Sequence, residues 1–200
     1  LIQPARGTTA GQSPDGDWTD RSSRVITIDA GRSFGHGGHP TTRLALDAIA
    51  EIMETPDADV ASVLDVGCGS GVLAIAAVTL GAAHAVAIDI SPDAIDATRL
   101  NARANNVEAH VEVVHGELSE LEGRFSLVVA NLEAPTLETL AAPLLQAVAP
   151  GGWLVLSGVL ERRWTSLWTH FQAGRQVSAA VLDDWIGPVL RLGGPTRTRF

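Results

Sequence analysis

The 200-residue chain predicts an α/β fold: a doubly wound, mostly parallel sheet of seven strands with helices on both faces. Three observations predict it. From residue 62 onward, strand-like and helix-like segments alternate, which calls for right-handed crossovers. The strand segments are nearly continuous apolar runs, as burial on both faces requires. With 46% hydrophobic and 18% charged residues, the chain has enough apolar surface for a substantial core.

The elements follow in order. Residues 1–24 are rich in Gly, Ser, Thr, Asp and Pro and read as an arm holding at most one short strand, ahead of a domain over 25–200. Arg24–Asp29 (RVITID) alternates like a strand and runs into the glycine-rich turn AGRSFGHGGHPTT. After Pro40, the positions Ala45, Ala48, Ile49, Ile52 and Met53 recur at helical spacing until Pro56-Asp57 closes the helix. Ser62–Val66 is the first strand of the sheet, and Gly71–Leu80 an Ala-rich helix stopped by Gly81. Ala85–Ile90 is a strand; Ser91-Pro92-Asp93 then combines an N-cap, a first-turn proline and an acid at the positive helix end. That helix ends near Asn105. Strands follow at His110–Val114 and Phe125–Ala130, then a helix over Pro135–Val148 and a strand at Trp153–Ser157. A helix near Trp164–Gln172 precedes the last two strands, near Val177–Leu182 and Pro188–Leu192.

Composition removes several chemistries. All fourteen basic residues are Arg, so a phosphate loop ending in GK[ST], a pyridoxal Schiff base and a lysine nucleophile are excluded. Tyr is absent, and the single Cys68 forms neither an internal disulfide nor a cysteine zinc site; no metal is expected. A net charge of −9 without a basic run predicts no nucleic-acid partner, while it suits a cationic ligand. There is no signal-like start, and the longest strongly apolar segment, Val72–Val78, is far short of the ~20 residues that span a bilayer. A soluble cytoplasmic protein without a membrane partner is expected; the oligomeric state is not legible.

An open sheet of this type places its ligand at the carboxyl ends of the strands. There the chain reads VLDVGCGSGVLAIAA, with Gly67, Gly69 and Gly71 spaced G-x-G-x-G between strand and helix. Without Cβ atoms the backbone turns sharply and approaches a ligand, and the following helix start offers amide donors. The dinucleotide fingerprint would need a glycine where Val72 stands, which weakens a nicotinamide or flavin reading. Asp89 lies 22 positions after Gly67 at a strand end, where a carboxylate accepts two hydrogen bonds from adjacent ribose hydroxyls. Ser91 already fills the cap position, which leaves Asp89 for a ligand. Glu117 faces an adenine edge or plain solvent with equal ease. A ribose and adenine site without a phosphate grip points to S-adenosyl-L-methionine, with S-adenosyl-L-homocysteine as product, and the cationic sulfonium is compatible with the acidic chain.

These segments, with AIDISPDAIDATRLNARANNV, VVANLEAPTLETLAAPLL and PGGWLVLSGVL, resemble a class I S-adenosylmethionine methyltransferase of Rossmann-like fold. More narrowly they resemble the PrmA family, which methylates the bacterial large-subunit ribosomal protein eleven. TIDAGRSFGHGGHPTTRLAL is the most specific part, since the family has a similar FGTGxHxTT segment, and the likeness runs from Val25 to Leu192. The resemblance implies cofactor contacts at Thr42, Gly67, Asp89 and Asn131, and the glycine loop adds Gly69. Two departures stand out: His36 replaces the family's Thr, and only the short polar arm precedes the signature where the family has a substrate-recognition domain. The second directs the expectation to a small-molecule or non-ribosomal protein acceptor, with nitrogen as the expected nucleophile. The alternatives are a PrmA-type ribosomal-protein methyltransferase acting on lysine and amino-terminal nitrogens, and a non-catalytic nucleotide-binding protein. His36 and His39 are the candidate proton acceptors; the catalytic residues stay unassigned.

Overall fold

A computed structural model describes residues 2–4, 25–29, 38–56 and 58–193. His36, most of the 1–24 arm and the 30–37 turn lie outside the described residues. Within them the chain runs β1 (Ile2–Pro4), β2 (Ile26–Ile28), α1 (Pro40–Glu54), β3 (Ser62–Val66), α2 (Val72–Leu80), β4 (His84–Asp89), α3 (Pro92–Ala104) and β5 (Val111–His115). A 3₁₀ turn at Leu118–Glu120 leads to β6 (Phe125–Asn131), α4 (Ala134–Ala147), β7 (Val148–Ser157), β8 (Val159–Leu160) and α5 (Glu161–Leu167). A second 3₁₀ turn (Trp168–His170) precedes β9 (Gly174–Leu182) and β10 (Trp185–Leu192).

The main sheet has the order β5-β4-β3-β6-β7-β10-β8, with β9 on the other side of β10. Strands β3 to β7 pair in parallel, whereas β10 is antiparallel to β7, β8 and β9. The sheet is thus mostly parallel as expected, with the two-residue β8 as an eighth strand. The chain leaves β3 toward β4 on one side and later returns to β6 on the other, so the direction of winding reverses beside β3. A crevice opens where strands diverge in this way.

Alternation along the strands divides the core between the two faces. Val63, Ala85, Ala87, Leu127, Val129 and Val155 pack with α1 and α2 residues such as Ile49 and Ile75. Leu64, Val86, Ile88, Val128 and Leu154 point the other way, against Leu137 and Leu144 of α4 and Leu167 of α5. Both faces are covered, which is why the strands read as unbroken apolar runs. Parity then decides where the polar strand ends go. Asp65, Asp89 and Asn131 continue the series Val63, Ala85-Ala87 and Leu127-Val129, so all three belong to the α1/α2 face.

Local boundaries depart from the sequence reading in three places. Strand β7 starts at Val148, because Pro150-Gly151-Gly152 is carried within the extended segment and does not precede it. The expected Trp164–Gln172 helix begins earlier, at Glu161, and tightens to a 3₁₀ turn at Trp168, where Trp164 and Trp168 pack as a tilted pair. The last two strands form an antiparallel hairpin across Asp183-Asp184, each beginning three residues earlier than expected and ending where expected.

Candidate functional site

Each residue of the site is set by a local device. The glycine loop 67–71 follows β3, and Gly67, Gly69 and Gly71 all take left-handed backbone angles (φ +71°, +54° and +77°). A side chain at Gly71 would put its Cβ 2.6 Å from Thr98 Cγ2 on α3, so the loop also sits too close to that helix for anything but glycine. Asp89 ends β4. Its Oδ2 accepts the Gly69 N–H at 3.0 Å, and its Oδ1 accepts the Ser91 N–H at 2.9 Å. Ser91 does occupy the N-cap of α3, yet its hydroxyl makes no capping bond. The carboxylate of Asp89 therefore serves the helix start as well as the loop, and its orientation is fixed before any ligand arrives.

Thr42 and Asn131 come from segments 89 positions apart and meet across the cleft. Asn131 Nδ2 donates to Thr42 Oγ1 at 3.5 Å. Asn131 does not cap the following helix; Glu133 holds that position. The segment leading to Thr42 is anchored at both ends. His39 is the N-cap of α1 and its Nδ1 accepts the Thr41 N–H at 3.3 Å, while Ser157 Oγ at the end of β7 donates to Thr41 O at 2.8 Å. His39 is then a capping residue, whose ring also lies edge-on to Trp185 at 5.3 Å between centroids.

Together these residues line one cleft of about 1100 Å³ at the carboxyl ends of β3, β4 and β6, bounded by Asp89, Gly69, Thr42, Asn131, Glu117 and Trp185. Small-molecule sites are typically about 300–1,000 Å³, so there is room for a nucleoside and an acceptor group side by side. The donor set fits S-adenosylmethionine: a pre-held carboxylate for a ribose, a glycine turn that admits close approach, and no cationic phosphate grip among the lining residues. All five positions expected from the sequence (Thr42, Gly67, Gly69, Asp89 and Asn131) reach this cleft.

One residue escaped the sequence reading. Asp65 is 1% exposed beneath the glycine loop, where its Oδ2 accepts the Ala74 N–H of α2 at 3.1 Å. The signal was present as the acid in VLDVG, a carboxylate inside an otherwise apolar strand. Burial pushes its carboxyl from 3.8 up to about 7; the Ala74 N–H pulls it down and the nearby Asp89 charge raises it further. Burial likewise pushes the Cys68 thiol up, which makes it a poor nucleophile.

The raised carboxyl has a consequence for stability. Between pH 3.8 and about 7 the folded chain holds a proton on Asp65 that the unfolded chain has released. Unfolding then costs less as pH rises across that window, by about 1.4 kcal/mol per pH unit, and levels off above it. Urea unfolding at about pH 6 and about pH 8 is expected to show this decline for the parent chain and to lose it in Asp65→Asn, which cannot titrate. An equal decline in both would remove Asp65 as its source.

The family model of the ribosomal protein L11 methyltransferase (PrmA) matches residues 12–191. The ribosomal protein L11 methyltransferase of Geobacter metallireducens is 49% identical over 173 residues, which is 86% of this chain and 51% of that protein. The chain spans about half the length of the curated relatives it matches. A crystal structure of ribosomal protein L11 methylase from Lactobacillus delbrueckii subsp. bulgaricus superposes with a TM-score of 0.80 at 30% identity, covering 90% of this chain and 91% of that one. An RNA methyltransferase from Salinibacter ruber, crystallised with S-adenosyl-L-homocysteine, shares the fold at TM-score 0.61 and 24% identity, over 80% of this chain and 98% of that one.

The partner expectation is corrected by this comparison. The short arm directs the expectation to a small-molecule or non-ribosomal acceptor, but the family model and the relatives carry the name of a ribosomal protein. Among the described residues, no helix is long and apolar enough to cross a membrane. The chain belongs to the ribosomal protein L11 methyltransferase (PrmA) family of S-adenosylmethionine-dependent methyltransferases.

Proposed function

We propose that this chain transfers a methyl group from S-adenosylmethionine to an amino nitrogen of ribosomal protein L11. The observation that carries the reading is the meeting of two pairs in one cleft: Gly69 with Asp89 at the cofactor end, and Thr42 with Asn131 beside it. The family model and the relatives that match this chain are named for this acceptor.

When bound, the cofactor supplies a methyl group made electrophilic by its sulfonium. The chain's residues supply alignment. Asp89, already held by two amide donors, takes the ribose hydroxyls without reorganising. Asn131 spends its Nδ2 on Thr42, and no described donor reaches its Oδ1, so that oxygen accepts an N–H from the incoming amine and turns the nitrogen lone pair toward the methyl. Leu132, Leu140 and Trp185 keep water from that end of the cleft.

Tritiated S-adenosylmethionine incubated with purified ribosomal protein L11, and separately with the small-molecule fraction of a bacterial lysate, tests the proposal. Label on the ribosomal protein is expected; label confined to small molecules, or on neither, would overturn it. Asn131→Ala is expected to lower kcat by about 100-fold through loss of orientation, with the affinity for S-adenosylhomocysteine changed much less. Turnover close to the parent's would remove Asn131 from this role.

A further inference from the structure

Helix α3 holds the glycine loop from behind. Thr98 Oγ1 donates to Gly69 O at 3.1 Å, and Asn101 Nδ2 donates to Ser70 O at 2.8 Å. Thr98 and Asn101 lie three positions apart and so share one helix face. Asn101 is 2% exposed and does more than hold the loop. Its Nδ2 also donates to Asp29 O at 2.9 Å and its Oδ1 accepts the Asp29 N–H at 2.9 Å, so one amide ties the end of β2 to the glycine loop.

One turn further on, Asn105 repeats only half of this arrangement. It brackets Thr27 in the same way, accepting the N–H at 2.9 Å and donating to the carbonyl at 2.7 Å. Its remaining bond goes back to Asn101 O and none reaches the loop. The two asparagines thus make the same two-bond clasp on β2, at alternate residues of that strand. They differ in the contact with Ser70.

We propose that Thr98 and Asn101 are positioning residues for the cofactor, whereas Asn105 only fastens β2. The loop they grip contains the Gly69 amide that orients Asp89, so slack at the two carbonyls is passed to the carboxylate that receives the ribose. The cost falls on affinity for the nucleoside. The inference rests on the cofactor reading above.

Isothermal titration with S-adenosylhomocysteine, paired with thermal unfolding, tests it on the parent chain and three variants. The parent must bind; a parent that does not bind defeats the functional reading itself. Asn101→Ala is expected to raise Kd by about tenfold, and Asn105→Ala to leave it within about twofold although both lower Tm. Thr98→Val keeps the shape of the side chain and removes only the hydroxyl, so it stands in where Asn101→Ala fails to fold; an increase of about fivefold is expected. Equal affinities for the parent, Asn101→Ala and Thr98→Val would overturn the proposal. So would a loss in Asn105→Ala as large as that in Asn101→Ala, because it would reduce the effect to general loosening of β2.

Discussion

Asp89→Ala is expected to raise the dissociation constant for S-adenosylhomocysteine by about 100-fold or more. A carboxylate accepting two hydrogen bonds from a ribose contributes about 1.5–3 kcal/mol for each, and each 1.4 kcal/mol is a factor of ten. The loss compounds, because the same carboxylate accepts the Gly69 and Ser91 N–H groups. Without it the loop amide and the start of α3 both lose a partner. Asp89→Asn separates these contributions: it keeps one acceptor oxygen and loses the charge, so its Kd should fall between parent and alanine. Titration calorimetry on the three proteins gives the answer, and an Asp89→Ala variant that binds like the parent would remove the ribose role.

The largest effect on stability is expected at Gly158, in the turn between β7 and β8. Its φ is +82°, and a Cβ built there would run into the backbone of Leu132, at the carbonyl oxygen. Backbone cannot rotate away as a side-chain tip can. Gly158→Ala therefore combines a left-handed alanine with an overlap that must push the β6–α4 loop aside, a loss of about 3 kcal/mol or more. The displaced segment carries Asn131 and Leu132, so cofactor-dependent activity should fall along with the urea midpoint. Gly123 serves as the control: it too has positive φ, but its Cβ would meet nothing within 4 Å, so Gly123→Ala should cost only about 1 kcal/mol. Similar midpoints for the two variants would show that the Leu132 contact yields easily.

Much of the fold was legible because its signals are local. Apolar runs of strand length, helix-starting prolines at 40 and 92 and the glycine stop at 81 are written in consecutive residues. The elements that misled were those whose ends depend on neighbours. Strand β7 runs back through Pro150 because it pairs with β6 at Val148, and α5 yields to a 3₁₀ turn where two tryptophans meet. The acceptor class was misread for a different reason. The short arm and the family-like TIDAGRSFGHGGHPTTRLAL segment point different ways, and the cofactor chemistry legible at the strand ends carries no information about which nucleophile is methylated.

By itself the sequence determined which residue types stand at the strand ends: the glycine loop after Val66, Asp89 and Asn131. It could not say what those groups touch. Only the tertiary structure brings Thr42 to Asn131 across 89 positions, sets Asn101 against both Asp29 and Ser70, and buries Asp65 deeply enough to hold its proton near neutral pH. These contacts arise where the winding of the sheet reverses. The direction of each crossover decides which distant segments share the crevice, and that direction is settled by packing helices on both faces, which no local stretch of chain encodes.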